Sequence, residues 1–179
     1  ISGGNATRFG LFSLYYGLYG SYWHSFLEAR KPPVFIEHLR EKNYAMLNMA
    51  SASLSSPEFH QTIFSSVPET MKDKFPSPSQ SHRDIQMIDT ALEFFEKRDQ
   101  TKPFFVSLFL DGTHAPFTFD EQFAKFQPYT QFFKYLDLDD RDKVAGMYNR
   151  YRNSIFAADD SVGRLLEYVK NSNFYEDTW

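Results

Sequence analysis

Apolar positions along the chain change rhythm several times, and each change marks an element. After the glycine-led turn Gly3-Gly4-Asn5-Ala6-Thr7, residues Phe9, Leu11, Phe12, Leu14, Tyr15 and Leu18 recur close to a helical repeat, which predicts a loop running into a helix. Lys31-Pro32-Pro33 restarts the chain. Val34, Phe35, Ile36 and Leu39, interleaved with Glu37, Arg40, Glu41 and Lys42, then fit an amphipathic helix opened by proline. The run from Tyr44 to Ala50 is short and apolar and leads into a serine-rich loop. It predicts a strand and, with the helix before it, one helix-to-strand step of an α/β fold.

Residues Ser65 to Ser81 carry three prolines and five serines with little periodicity, so an exposed connector is expected there. From Ser81 or His82 to Arg98, the residues Ile85, Ile88, Leu92 and Phe95 return at spacings of three and four, with charges on the other face and Ser81 as the expected cap. Lys102-Pro103 introduces Phe104 to Leu110, a nearly continuous apolar run of the kind buried on both faces of a parallel sheet. Polar residues Asp111-Gly112-Thr113-His114-Ala115-Pro116 follow at the carboxyl end of that strand, where open α/β sheets bind ligands. Between Asp139 and Asn171, Val144, Met147, Tyr148, Tyr151, Ile155, Ala158, Val162, Leu165, Leu166 and Val169 predict one long amphipathic helix. No repeat with a period of about 20–50 residues is visible.

Charge and composition exclude several functions. The net charge is −4 and the basic residues are scattered, so the electrostatic stripe that nucleic-acid binding needs is missing and no nucleic-acid partner is expected. With zero cysteines there is no disulfide, thiolate metal site or cysteine nucleophile. The richest apolar stretch, Phe9 to Tyr19, is broken by Gly10 and Gly17 and is too short to span a bilayer, so any membrane anchor is expected outside the chain. The 20 Phe and 11 Tyr point to an aromatic core, a surface meeting lipid or sugar, or both. The chain opens without Met and stops just after a helical pattern. Both ends are therefore expected to be cut, leaving residues 1–179 as a fragment of a single domain.

Two places combine loop geometry with reactive side chains. A threonine at the amino end of a helix, preceded by glycines, meets backbone amides that favour a phosphate or sulfate, which makes Thr7 a candidate; an ordinary helix N-cap is the plainer alternative. His114 stands at a strand end, where it either contacts a ligand or is a loop residue with a satisfied hydrogen bond. Asn5 either bonds an anion or its own turn. His24, His38, His60 and His82 lack ligand spacing, and Asp159-Asp160 fits a solvated helix face.

The segment Ser2-Gly3-Gly4-Asn5-Ala6-Thr7, continuing through Arg8-Phe9-Gly10-Leu11-Phe12-Ser13-Leu14-Tyr15-Tyr16-Gly17-Leu18, resembles the nucleophile turn and helix of the YejM-like (PbgA-like) inner-membrane proteins, a sulfatase-like family of Gram-negative bacteria. More distantly, Gly4-Asn5-Ala6-Thr7 is similar to the nucleophile turn of lipid A phosphoethanolamine transferases, which implies a nucleophilic role for Thr7. Pro103 to Phe117 resembles the strand and His-x-Pro segment of the sulfatase and alkaline-phosphatase superfamily, implying that His114 contacts the substrate's phosphate or sulfate group. Tyr148 to Leu166 resembles the helix before that superfamily's Asp-His-Gly metal-binding strand.

The resemblance implies part of an alkaline-phosphatase-like three-layer sandwich, a mostly parallel sheet flanked by helices and truncated at both ends. It also implies a divalent metal, Zn, Mn, Mg or Ca, in the intact protein, with the Thr7 hydroxyl as one ligand and the others outside this chain. Sulfatases proper make a formylglycine from a Cys/Ser-x-Pro-x-Arg motif, and this chain has no such motif. Phospho-group chemistry is thereby favoured over sulfate-ester cleavage. Two functions follow: a metal-dependent hydrolase or phospho-group transferase acting on envelope lipids, or a catalytically inactive periplasmic sensor or scaffold that binds lipid or lipopolysaccharide head groups. Both imply the periplasmic domain of a bacterial inner-membrane protein. An uncovered sheet edge would favour homo-oligomers.

Overall fold

A computed structural model describes residues 3–132, 134, 136 and 139–179; Ser2, the first residue of the nucleophile-turn resemblance, lies outside the described residues. The chain forms two compact units, Ile1–Asp73 with Arg98–Ser107 and Lys74–Lys97 with Leu108–Trp179. Its α/β class is the expected one.

The first unit begins with three helices, α1 (Thr7–Tyr16), α2 (Trp23–Ala29) and α3 (Val34–Glu41). Strand β1 (Ala45–Ala50) is the middle of a sheet ordered β2-β1-β3, with β2 at Met71–Lys72 and β3 at Phe104–Phe109. β1 and β2 run parallel, with Asn48 opposite Met71 and Met49 opposite Lys72. On β3, Phe105 and Ser107 share one face because strand side chains alternate, and two helices cover that face. The Tyr15 phenol of α1 bonds the Ser107 hydroxyl, and Phe35 of α3 meets the Phe105 ring edge-on at 5.4 Å. Burial pushes the Tyr15 and Tyr16 phenols above their ordinary range, so both stay neutral and serve as packing groups.

Phe12 and Trp23 are completely buried and anchor this unit. Phe12 meets Trp23 at 6.1 Å and Phe26 at 5.3 Å, and Trp23 meets Phe59 at 5.7 Å, all edge-on as ring quadrupoles favour. The aromatic excess is in part a core, as one of the two expectations had it. α1 stops at Gly17, whose backbone is left-handed (φ 67°) and whose N–H donates to the Ser13 carbonyl.

The expected exposed connector over 65–81 needs correction. It contains β2, and Val67 within it is fully buried. Thr70 Oγ1 donates to the Val67 carbonyl and accepts from Asn48 Nδ2 of β1, both at 2.7 Å, which locks the segment to the sheet. A strand of two residues is too short to show a period, so the pattern could not reveal it.

In the second unit α4 (Gln80–Lys97) packs against α5 (Arg141–Lys170). α4 starts at Gln80 rather than with Ser81 as its cap, and the Ser81 N–H donates to Thr118 Oγ1 at 2.9 Å. α5 is the predicted long helix, capped by Asp140, whose carboxylate accepts from the Asp142 and Lys143 N–H groups at 3.0 and 3.3 Å. Its buried side differs from the expected stripe. Gly146, Met147, Asn153, Ser154, Ala157 and Ser161 are buried, while Val144, Tyr148, Tyr151, Ile155 and Leu166 are exposed. Small residues let helices approach closely, so the contact side reads as polar in a hydrophobicity pattern although it is the packed one.

Replacing Phe12 with Ala is expected to destabilise the first unit by about 3–5 kcal/mol, the usual range for a deleted core phenyl. Urea unfolding followed by the emission of buried Trp23 measures it.

Candidate functional site

α1 presents its amino end with an extended Ala6 (φ −135°, ψ 152°) as the N-cap, and Ala6 has no side chain to cap with. Thr7 is the first helical residue, so the plain alternative of Thr7 as N-cap does not hold. The Ala6 carbonyl accepts from the Phe9 and Gly10 N–H groups, each at 3.0 Å, which leaves the Thr7 and Arg8 N–H groups without intrahelical partners. Thr7 and Asn5 are exposed, and neither side chain makes a hydrogen bond among the described residues. Asn5 thus does not bond its own turn.

The glycines before Thr7 serve close approach. A Cβ on Gly3 would fall 2.1 Å from Ser13 Cβ, and one on Gly4 2.4 Å from Phe9 Cβ. The segment folds back along its own helix, with Ser13 Oγ donating to the Gly3 carbonyl at 3.3 Å. Backbone can lie there only where side chains are missing.

His114 belongs to the second unit, in the turn after β3. Its N–H donates to the Asp111 carbonyl at 2.9 Å and its carbonyl accepts from the Phe117 N–H at 2.8 Å. The ring is exposed, with Nδ1 3.1 Å from the Ala115 carbonyl. A carbonyl can only accept, so Nδ1 carries a proton and Nε2 is the atom left to face a ligand. Around it the Arg150 guanidinium donates to the Pro116 carbonyl at 2.7 Å, and burial holds Arg150 below the usual arginine range.

Three residues that the sequence reading did not single out grip this turn from the first turns of α4. Asp84, 2% exposed, accepts from the Asp111 N–H at 3.0 Å and the Gly112 N–H at 2.8 Å. The Arg83 guanidinium and the Gln80 amide both donate to the Asp111 carboxylate, at 3.3 and 3.1 Å, and Gln80 also reaches the Ala115 carbonyl at 3.3 Å. One signal could have revealed Asp84: it lies in register with Ser81, Ile88, Ala91 and Phe95, an acid inside the buried stripe. The other histidines remain without a site. His82 pairs with Asp120 on the exposed surface at 2.7 Å, and His60 donates to the Leu54 carbonyl at 3.3 Å. Asp159 and Asp160 are exposed on α5.

The family model for sulfatases, described as Sulfatase, matches residues 1–179. The chain belongs to the sulfatase family, and so to the superfamily of sulfatase-like and alkaline-phosphatase-like hydrolases and transferases. The α/β sheet with flanking helices is consistent with that superfamily's sandwich. Its members typically use divalent metals. Among the described residues no group of three or more His, Cys, Asp or Glu side chains is placed to hold one, and Thr7 brings a single oxygen. These residues alone do not fit a metal centre, which needs about four to six ligands.

Two glycine substitutions separate close approach from open space. In Gly112→Ala the new Cβ would lie 2.4 Å from Asp84 Oδ2, and destabilisation by roughly 1–3 kcal/mol is expected. Gly163→Ala, with nothing within 4 Å on α5, should stabilise by about 0.5–1 kcal/mol. Thermal unfolding monitored by circular dichroism reads both.

Proposed function

We propose that this chain carries the nucleophile and a substrate contact of a phospho-group hydrolase or transferase acting on phosphate esters of envelope lipids, with Thr7 as nucleophile. The observation that carries it is the exposed Thr7 hydroxyl on the first residue of α1, beside N–H groups that no side chain among the described residues caps. Such a helix end favours an anion, and the same N–H groups would receive charge developing on phosphate oxygens. Missing cysteine and any Ser-x-Pro-x-Arg motif argue against formylglycine chemistry and hence for phosphate over sulfate esters.

In the first step Thr7 Oγ attacks phosphorus, its proton passes to solvent, and the bond to the leaving alkoxide breaks as that oxygen is protonated. In the second, water or an acceptor hydroxyl attacks the phosphothreonine, loses a proton, and returns Thr7 as the free alcohol. Asn5, exposed beside Thr7, is a donor to a phosphate oxygen at this helix end; His114, which the resemblance makes a substrate contact, offers its outward Nε2 to a phosphate-type anion. A divalent metal, of the Zn, Mn, Mg or Ca type, would take its remaining ligands from outside these 179 residues. The setting we propose is the periplasmic face of a bacterial inner membrane, with a lipid or lipopolysaccharide head group as partner and self-association through a sheet edge.

A second reading, a catalytically inactive lipid-binding sensor or scaffold, is favoured by Leu14, Leu18, Tyr19 and Tyr22, which are exposed around the end of α1. One experiment separates the two. Incubating the intact protein with a phospholipid labelled in its phospho head group is expected to put label on Thr7, with Thr7→Ser keeping some and Thr7→Ala lowering incorporation roughly 10³-fold or more. Lipid binding with no label would leave the sensor; label unchanged in Thr7→Ala would remove Thr7 as nucleophile.

A further inference from the structure

We propose that Asp84 is a positioning residue whose buried carboxylate fixes where the His114 imidazole stands to meet a phosphate-type anion. The inference rests on the proposed anion-binding role of His114 and adds the residue that holds it in place.

An aspartate 2% exposed needs partners, because a buried charge is costly unless hydrogen-bonded. Asp84 finds them in backbone. Its Oδ1 takes the Asp111 N–H at 3.0 Å and its Oδ2 the Gly112 N–H at 2.8 Å, the two residues that turn the chain away from β3. Two donors on two separate oxygens call for the ionised form, since a carboxylate is acceptor-only. The position of the turn then passes to His114 by a short route: the Asp111 carbonyl receives the His114 N–H at 2.9 Å.

The same helix end holds both flanks of the histidine. Arg83 and Gln80 fix the Asp111 side chain, and Gln80 also ties the Ala115 carbonyl at 3.3 Å. That carbonyl accepts from His114 Nδ1, so its placement decides which ring nitrogen is turned outward. Gly112 completes the fit, since a Cβ there would lie 2.4 Å from Asp84 Oδ2 and the turn could not approach the carboxylate so closely. An apolar residue at position 84 would suit the buried stripe of α4 but would leave both N–H groups unpartnered. Asparagine would set an NH₂ group against one of them.

The test uses the whole chain, with the His114 ring signals followed by NMR, alone and during titration with inorganic phosphate. Asp84→Asn is expected to move the ring signals, raise amide exchange at Asp111 and Gly112 on the order of 10-fold, and weaken phosphate binding by about the same factor, as displacement of a binding group does. Should Asp84→Asn not fold, Asp84→Glu keeps both acceptors but is one methylene longer, and is expected to shift the same signals and weaken phosphate. Phe95→Leu, which lowers the melting temperature without touching the turn, should leave ring signals and phosphate affinity per folded molecule unchanged. Ring signals and phosphate affinity unaltered in a folded Asp84 variant, or altered equally in Phe95→Leu, would overturn the proposal. If wild-type His114 signals ignore phosphate and His114→Ala binds it no worse, the anion-binding reading fails; Asp84 as the holder of the ring then stands or falls on the phosphate-free signals alone.

Discussion

Backbone N–H groups at the ends of helices and strands must find an acceptor, and this chain meets that constraint in opposite ways at its two candidate positions. At the turn after β3 the protein supplies the acceptor itself: the Asp84 carboxylate takes the Asp111 and Gly112 N–H groups. At the start of α1 no side chain among the described residues does so, and the Thr7 and Arg8 N–H groups are without intrahelical partners. Satisfied backbone makes a scaffold, whereas open backbone beside a hydroxyl makes a place for an anion.

Each of these ends is held by packing within its own unit. α1 is fixed by Phe12, wedged among Tyr16, Trp23 and Phe26, and by Tyr15 on Ser107 of β3. α4 buries Met87, Ile88, Ala91 and Phe95 and packs against α5, with Phe95 stacked on Tyr168 at 5.9 Å. Deep apolar burial is the dominant stabilising term in both. Rigid helices of this kind are a better platform for a ligand-facing group than a free loop would be.

Much of the architecture was legible as periodicity. α3, β1, α4, β3 and α5 lie within a few residues of the places their apolar spacing indicated, because each is long enough or amphipathic enough to show a period. What escaped had physical reasons. β2 is two residues long, and α2 is set off from α1 by a break at Gly17 and a short 3-10 turn at Gly20–Tyr22 that an apolar count runs straight through. The buried side of α5 is made of Gly, Ser, Ala and Asn around Met147, so close packing there looks polar in the sequence. At the candidate site Thr7, Asn5 and His114 could be named from motifs, but what holds them could not. Asp84 is one acid among many until folding sets it beside a turn that is 27 residues away in sequence.

The central claim is that the open amino end of α1 binds a phosphate-type anion. Titrating the intact protein with inorganic phosphate while following the Thr7 and Arg8 amides by NMR is the most direct measurement. Both amide signals are predicted to move along one saturating curve. Signals at this helix end that ignore phosphate would contradict it.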